Sequence, residues 1–216
     1  MRALLAPGIT PGAPLGADDL RALYAFPSGP HVRANFVASL DGAAAGADGR
    51  SGSINTLADR EVFALNRSLA DVVLVGAGTA RVEDYGPARL PLAVVSNTGV
   101  LPTRLAGHAT LITCAAAGLA PSESVWLCGE AAVDLAEAVA RLSAAGMPRI
   151  LCEGGPTLLG GLVAAGLVGS LAVTTSPRVV SGHGGRPVVG PDLDVPLRLR
   201  HLLEADGTLL ALWDVR

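Results

Sequence analysis

Six short, almost uninterrupted apolar runs constrain the fold of this chain more than any other feature: DVVLVG (71–76), LPLAVVS (90–96), ATLITC (109–114), SVWLCG (124–129), RILCEG (149–154) and SLAVTTS (170–176). A strand with one wet face alternates apolar and polar residues, whereas a strand apolar at nearly every position must be covered on both faces. Helical stretches separate several of these runs. LADREVFALNRSLA (57–70) places Leu57, Phe63, Leu65 and Leu69 at helical spacing, and GEAAVDLAEAVARLSAAG (129–146) reads as the clearest helix. Strands alternating with helices predict an α/β protein on a mostly parallel central sheet. The tail PLRLRHLLEADGTLLALWDV carries an Asp206-Gly207 turn between two apolar segments, the pattern of a closing antiparallel hairpin. Ahead of the runs lies a Pro/Gly-rich lead, 1–30, with a short helix expected over ADDLRALYA (17–25). HVRANFVASLDG (31–42) then reads as a strand ending in a loop. No internal repeat, low-complexity linker or charge run divides the 216 residues, so one domain over 1–216 is expected.

Composition removes several functions. Only 3% of residues are aromatic, so the core must be built from Val, Leu and Ala, and no aromatic platform for nucleic acid is in prospect. With a net charge of −3 and no basic run, neither nucleic acid nor an anionic membrane surface is an expected partner. All sixteen basic residues are arginine, which excludes a Schiff-base lysine, a P-loop lysine and a Tyr-x-x-x-Lys hydride-transfer pair. Cys114, Cys128 and Cys152 lie in apolar runs without C-x-x-C spacing and read as buried thiols of a reducing compartment. His31, His108, His183 and His201 are far apart and form no H-x-x-x-H pair, so no metal site is expected. Residues 154–177 carry no charge and are long enough to span a bilayer, yet their six glycines and two prolines split them into a helix and a strand at Gly166–Gly169. The apolar stretch at the N-terminus is broken by Pro7 and Gly8, too early for a secretory signal, and a cytoplasmic protein is expected.

Ligands of open α/β sheets bind outside the carboxyl ends of the strands. The loops there run Ser39–Gly42, Gly76–Asp84, Ser96–Gly99 and Glu153–Thr157, all rich in glycine and small donors. Gly76-x-Gly78 alone serves as an ordinary strand-to-helix turn about as often as it marks a dinucleotide site. The LCEGGPTLL segment (151–159) says more: Gly154-Gly155 before Pro156 places free backbone N–H groups at a helix start, where an anion sits well. Glu153, flanked by apolar residues, needs a partner or a polar cleft. Asp41 fits a turn as well as a site, and Arg67 alone reads as a solvated helix residue. The residues by themselves lead to a nucleotide-binding α/β domain, without a G-x-S-x-G elbow.

Taken in order, ANFVASLDG, SGSINT, Arg67, VGAGTARVED and CEGGPTLL resemble the reductase domain of riboflavin biosynthesis, in the dihydrofolate-reductase-like superfamily, from about residue 31 to 190. The resemblance implies a three-layer dihydrofolate-reductase-like fold, a homodimer, and NADPH as cofactor. The implied reaction reduces the ribosyl group of 5-amino-6-(5-phosphoribosylamino)uracil to a ribityl chain. The zinc deaminase motifs that usually accompany this domain are absent from the sequence, so the likeness is to the reductase alone. By position it implies cofactor contacts at Ala38, Thr79, Glu83, Ser96, Gly154, Gly155, Pro156, Thr157 and Leu158. Substrate contacts fall on Ser51, Arg67 and Glu153, and either Glu153 or Asp41 is the general acid. The chain departs from the family pattern at Ala43, where a basic residue is common, and at Glu83, where aspartate is familiar. It also departs at DYGPARL, which replaces D-x-P-x-L-T-x-R and leaves Arg89 an approximate match. Arg104 is the candidate for a cofactor 2′-phosphate. Two other readings stay open: a dihydrofolate or pterin reductase, and an NADPH-binding regulatory protein without turnover.

Overall fold

The computed structural model of the protein describes residues 1–182 and 184–216. Among them ten strands form one sheet: β1 (Arg2–Leu5), β2 (His31–Ser39), β3 (Val72–Gly76), β4 (Leu92–Val95), β5 (Thr110–Thr113), β6 (Val125–Leu127), β7 (Arg149–Cys152), β8 (Val168–Ser176), β9 (Leu197–Ala205) and β10 (Thr208–Val215). Their order across the sheet is β1-β9-β10-β8-β2-β7-β3-β4-β5-β6. Every pairing from β8 to β6 is parallel, while β8–β10, β10–β9 and β9–β1 are antiparallel. The mostly parallel sheet with a C-terminal hairpin is therefore as expected, and Asp206-Gly207 makes the turn.

Five helices cover the sheet: α1 (Ala17–Leu23), α2 (Leu57–Leu69), α3 (Ala77–Val82), α4 (Leu135–Ala144) and α5 (Pro156–Ala164). Alternation along the strands assigns each helix a face. Leu74, Ile150 and Cys152 pack with Ala138 and Leu142 of α4 and Leu159 and Leu162 of α5. Their chain neighbours Val73, Val75 and Leu151 pack with Ala77 and Ala80 of α3 on the opposite face. On that second face Leu20 of α1 and Val62 of α2 cover Ala172, Leu203, Leu210 and Leu212 of the antiparallel end. The result is three layers. Val73, Leu74 and Val75 are each fully buried, which explains a run with no polar position; each contributes about 1.5–3 kcal/mol of transfer free energy.

Two elements differ from the sequence reading. The helix expected over 129–146 begins only at Leu135, because Asp134 Oδ1 accepts from the Glu137 N–H at 3.0 Å and caps the helix there. Gly129 (φ +83°) turns the chain ahead of it. The Pro/Gly-rich lead, in which only a short helix is expected, also contains β1, which adds to β9 at the sheet edge. The split of 154–177 into α5 and β8 is as read, and no helix among the described residues is long and apolar enough to cross a membrane. The three cysteines are buried and unpaired. His183 lies outside the described residues.

Candidate active site

The carboxyl ends of β3, β4 and β7, with β2 and the start of α2, border one cavity of about 1130 Å³. That exceeds the space a drug-sized ligand needs and accommodates a dinucleotide beside a small substrate.

One wall is the glycine crook read in LCEGGPTLL. Gly154 sits at φ +92°, a conformation that favours glycine, and the Gly154–Gly155 peptide is cis. A Cβ on Gly155 would lie 2.2 Å from Thr79 Oγ1, so the two loops touch where a side chain has no room. The Gly76 N–H donates to the Gly154 carbonyl at 2.8 Å and ties the loops together. Gly155 is the N-cap of α5 and supplies no side-chain cap, and Pro156 follows at the first helical position. The N–H groups of Thr157 and Leu158 therefore have no partner inside the helix and face an anion site at the positive end of its dipole. A cradle that a Cβ would fill and a helix start without a side-chain cap fit a dinucleotide diphosphate. Ser96, with Asn97 and Thr98, lines the same cavity beyond β4; its hydroxyl accepts from the Val100 N–H at 3.2 Å.

The facing wall is charged. Arg67, from the last turn of α2, gives Nε and Nη2 to Glu153 Oε1 and Oε2, each at 2.7 Å, a bidentate pair. The Glu153 side chain is only 2% exposed and that of Arg67 33%. Tyr85 donates its hydroxyl to Glu153 Oε2 at 2.6 Å. The Arg67 guanidinium lies 4.4 Å from the Phe63 ring centroid. Hydrogen bonding to Glu153 raises the Arg67 pKa further, and burial pushes the Tyr85 hydroxyl up, so both donors keep their protons. Glu153 thus has the partner its apolar flanks demanded, and Arg67 is a half-buried site residue rather than a solvated one. Ser51 lines the cavity and its N–H donates to Glu83 Oε1 at 2.8 Å, so Glu83 holds the Ser51 turn to α3.

Four placements correct the sequence reading. Asp41 does not line the cavity; its carboxylate accepts from Ser39 Oγ and from the N–H groups of Val180 and Ser181. Those bonds, Ser39 foremost, hold its pKa down to about 2, which removes it as a proton donor near neutral pH. Ala38 is buried, paired with Thr175 of β8, and Asn35, Phe36 and Val37 border the cavity instead. Arg104 pairs through Nη1 with Asp84 and borders a smaller neighbouring pocket rather than the main cavity. Arg89 is exposed and likewise outside it. Glu153 accepts on both oxygens, from Arg67 and from Tyr85.

Sequence reasoning missed Tyr85, Asn55, Asp59 and Arg186, all at the cavity wall. Tyr85 falls in the DYGPARL stretch where the family pattern breaks, and that break was the available signal. The other three carry no local motif. Among the described residues no three His, Cys, Asp or Glu side chains gather as metal ligands.

The chain matches the RibD C-terminal domain over residues 30–210, and it belongs to that family. It is 33% identical over 157 residues to the riboflavin biosynthesis protein RibD of Corynebacterium ammoniagenes, covering 72% of this chain and 45% of that protein. The chain thus spans less than half the length of the RibD relatives it matches. It is 28% identical over 181 residues to the 2,5-diamino-6-ribosylamino-4(3H)-pyrimidinone 5′-phosphate reductase of Methanothermobacter thermautotrophicus, covering 74% of this chain and 83% of that one. A pyrimidine reductase-like protein of Corynebacterium diphtheriae shares the fold, with TM-score 0.74 at 24% identity over 87% of this chain and 92% of the other.

Proposed function

We propose that the protein is an NADPH-dependent reductase that converts the ribosyl group of 5-amino-6-(5-phosphoribosylamino)uracil to a ribityl chain. The observation that carries this reading is the pairing, across one cavity, of a glycine-bordered helix N-terminus with the Arg67–Glu153–Tyr85 cluster. The first suits a diphosphate. The second suits a polar, anionic substrate that must be held still rather than attacked.

When bound, the dinucleotide supplies a hydride, and the protein's task is to align it with the sugar. Gly154, Gly155, Pro156, Thr157 and Leu158 would cradle the diphosphate, with Thr79 packed behind Gly155 and Ser96 beside the adenosine half. Glu83 acts on this cleft through the Ser51 turn it holds. Arg67 spends one edge on Glu153 and keeps its remaining N–H groups for a substrate oxyanion, with Ser51 on the same wall. Glu153, fixed by two donors, orients Arg67 and accepts from substrate N–H or O–H groups.

A homodimer in the cytoplasm is part of the reading; Leu4, Leu5 and Leu197, exposed on β1 and β9 at the sheet edge, are apolar surface of the kind an interface covers. The test is NADPH and NADH oxidation by the purified protein with the ribosylaminouracil phosphate, its 2,5-diamino counterpart and dihydrofolate. Turnover of a ribosyl pyrimidine with NADPH supports the proposal. Turnover of dihydrofolate alone overturns the substrate, and cofactor binding without any turnover marks a regulatory protein.

A further inference from the structure

Four carboxylates among the described residues line the cavity: Asp59, Glu83, Asp84 and Glu153. Three of them are occupied, Glu153 by Arg67 and Tyr85, Glu83 by the Ser51 N–H, and Asp84 by Arg104. Asp59 is different. It sits in the first turn of α2 at 4% exposure, borders the cavity, and enters no ion pair among the described residues. Asn55, on the same approach to α2, lines the cavity with a buried Oδ1 that has no hydrogen-bond partner. Buried acceptors are nearly always satisfied, so an orphan at a cavity wall marks a place for a ligand donor. Asn35, from β2, also borders the cavity.

Burial raises the Asp59 pKa above the usual carboxylate range. The Thr174 hydroxyl of β8 and the Arg60 charge of its own helix offset part of that rise, and Tyr24, at the end of α1, is the other titratable group near it. A carboxyl kept out of water, without an ion-pair partner, at the wall of a cleft that handles a sugar is placed to exchange a proton with a bound ligand.

We propose that Asp59 is the general acid of the site, giving its proton to the sugar ring oxygen as the anomeric carbon is reduced. This rests on the reading of the chain as a ribosyl reductase. The balance is simple. The anomeric carbon gains a hydride from the reduced nicotinamide and loses its bond to the ring oxygen; that electron pair takes the Asp59 proton and becomes a hydroxyl. The carboxylate regains a proton from solvent through the open cavity.

The experiment measures kcat and KM against pH for the wild type, Asp59→Asn and Thr174→Val, together with NADPH affinity by fluorescence. The Asp59 carboxyl is titrated by carbon NMR in the ligand-free protein, with D59N identifying its signal. D59N is expected to lower kcat by about 10²–10⁴-fold with KM and NADPH affinity little changed. It is also expected to lose the decline of kcat at high pH. T174V, which removes the hydroxyl favouring the charged form, is expected to stay active with that decline moved to higher pH. The ligand-free carboxyl is expected to titrate above the ordinary range. A D59N enzyme with wild-type kcat, a rise in KM alone, or a carboxyl titrating at or below the ordinary range overturns the assignment. If D59N does not fold, an unmoved T174V profile overturns it. A wild type inactive on every ribosyl pyrimidine removes the reductase reading and this inference with it.

Discussion

Arg67, Tyr85 and Glu153 meet from three separate stretches of chain, and each satisfies a need of the others. Glu153 cannot stay charged beside Cys152 and Leu151 without donors, and Arg67 and Tyr85 provide them. Tyr85→Phe removes one charge-assisted bond while keeping the ring against the cavity. It should cost about 1.5–3 kcal/mol of folding stability by urea titration, leave NADPH affinity unchanged and raise the substrate KM. A second residue-scale prediction concerns acid. His201 is fully buried against Tyr24, with both ring nitrogens unpartnered, and burial lowers its pKa to about 4. The unfolded chain therefore binds a proton that the folded one refuses between about pH 6.5 and 4. Stability is fully present above that window and lost as pH falls through it, by an amount on the order of 3 kcal/mol. His201→Phe should flatten the fall, measured as urea midpoints from pH 7 to 4; an unchanged slope would assign the acid sensitivity to other groups.

Elements set the precision of the site. Gly155→Ala would drive a methyl onto Thr79 Oγ1 and part the loops that form the cradle, so NADPH affinity should fall at least tenfold, about 1.4 kcal/mol, by fluorescence titration. Asp134→Ala removes the cap of α4 and should cost about 1 kcal/mol of stability by urea titration. The same elements show what the sequence exposed and what it hid. The parallel strands were legible because burial on both faces writes an apolar residue at nearly every position, as in Val72–Val75. The α5 cradle was legible because Gly-Gly-Pro has few other uses. The start of α4 was not, since Ala131, Ala132 and Val133 fit a helix and only the Asp134 cap excludes them. Asp59 was hidden for a related reason: an acid in a first helical turn ordinarily just complements the dipole, and the Thr174 hydroxyl that acts on it lies far along the chain. Asp41 misled because its partners, Val180 and Ser181, are equally distant.

At the scale of the molecule, the three layers put two kinds of site on opposite walls of one cleft. α5, from one face of the sheet, brings the uncapped N–H groups; α2 and the Tyr85 loop, from the other, bring Arg67, Asp59 and the ring that locks Glu153. The rigid sheet between the layers fixes the distance between walls, which is what hydride delivery to a held sugar requires. The measurement that tests this most directly uses NADPH carrying deuterium at nicotinamide C4, with the ribosylaminouracil phosphate as substrate and the product read by mass and NMR. The account predicts one deuterium, at the first carbon of a ribityl chain. Product without label, label elsewhere in the molecule, or no consumption of substrate would contradict it.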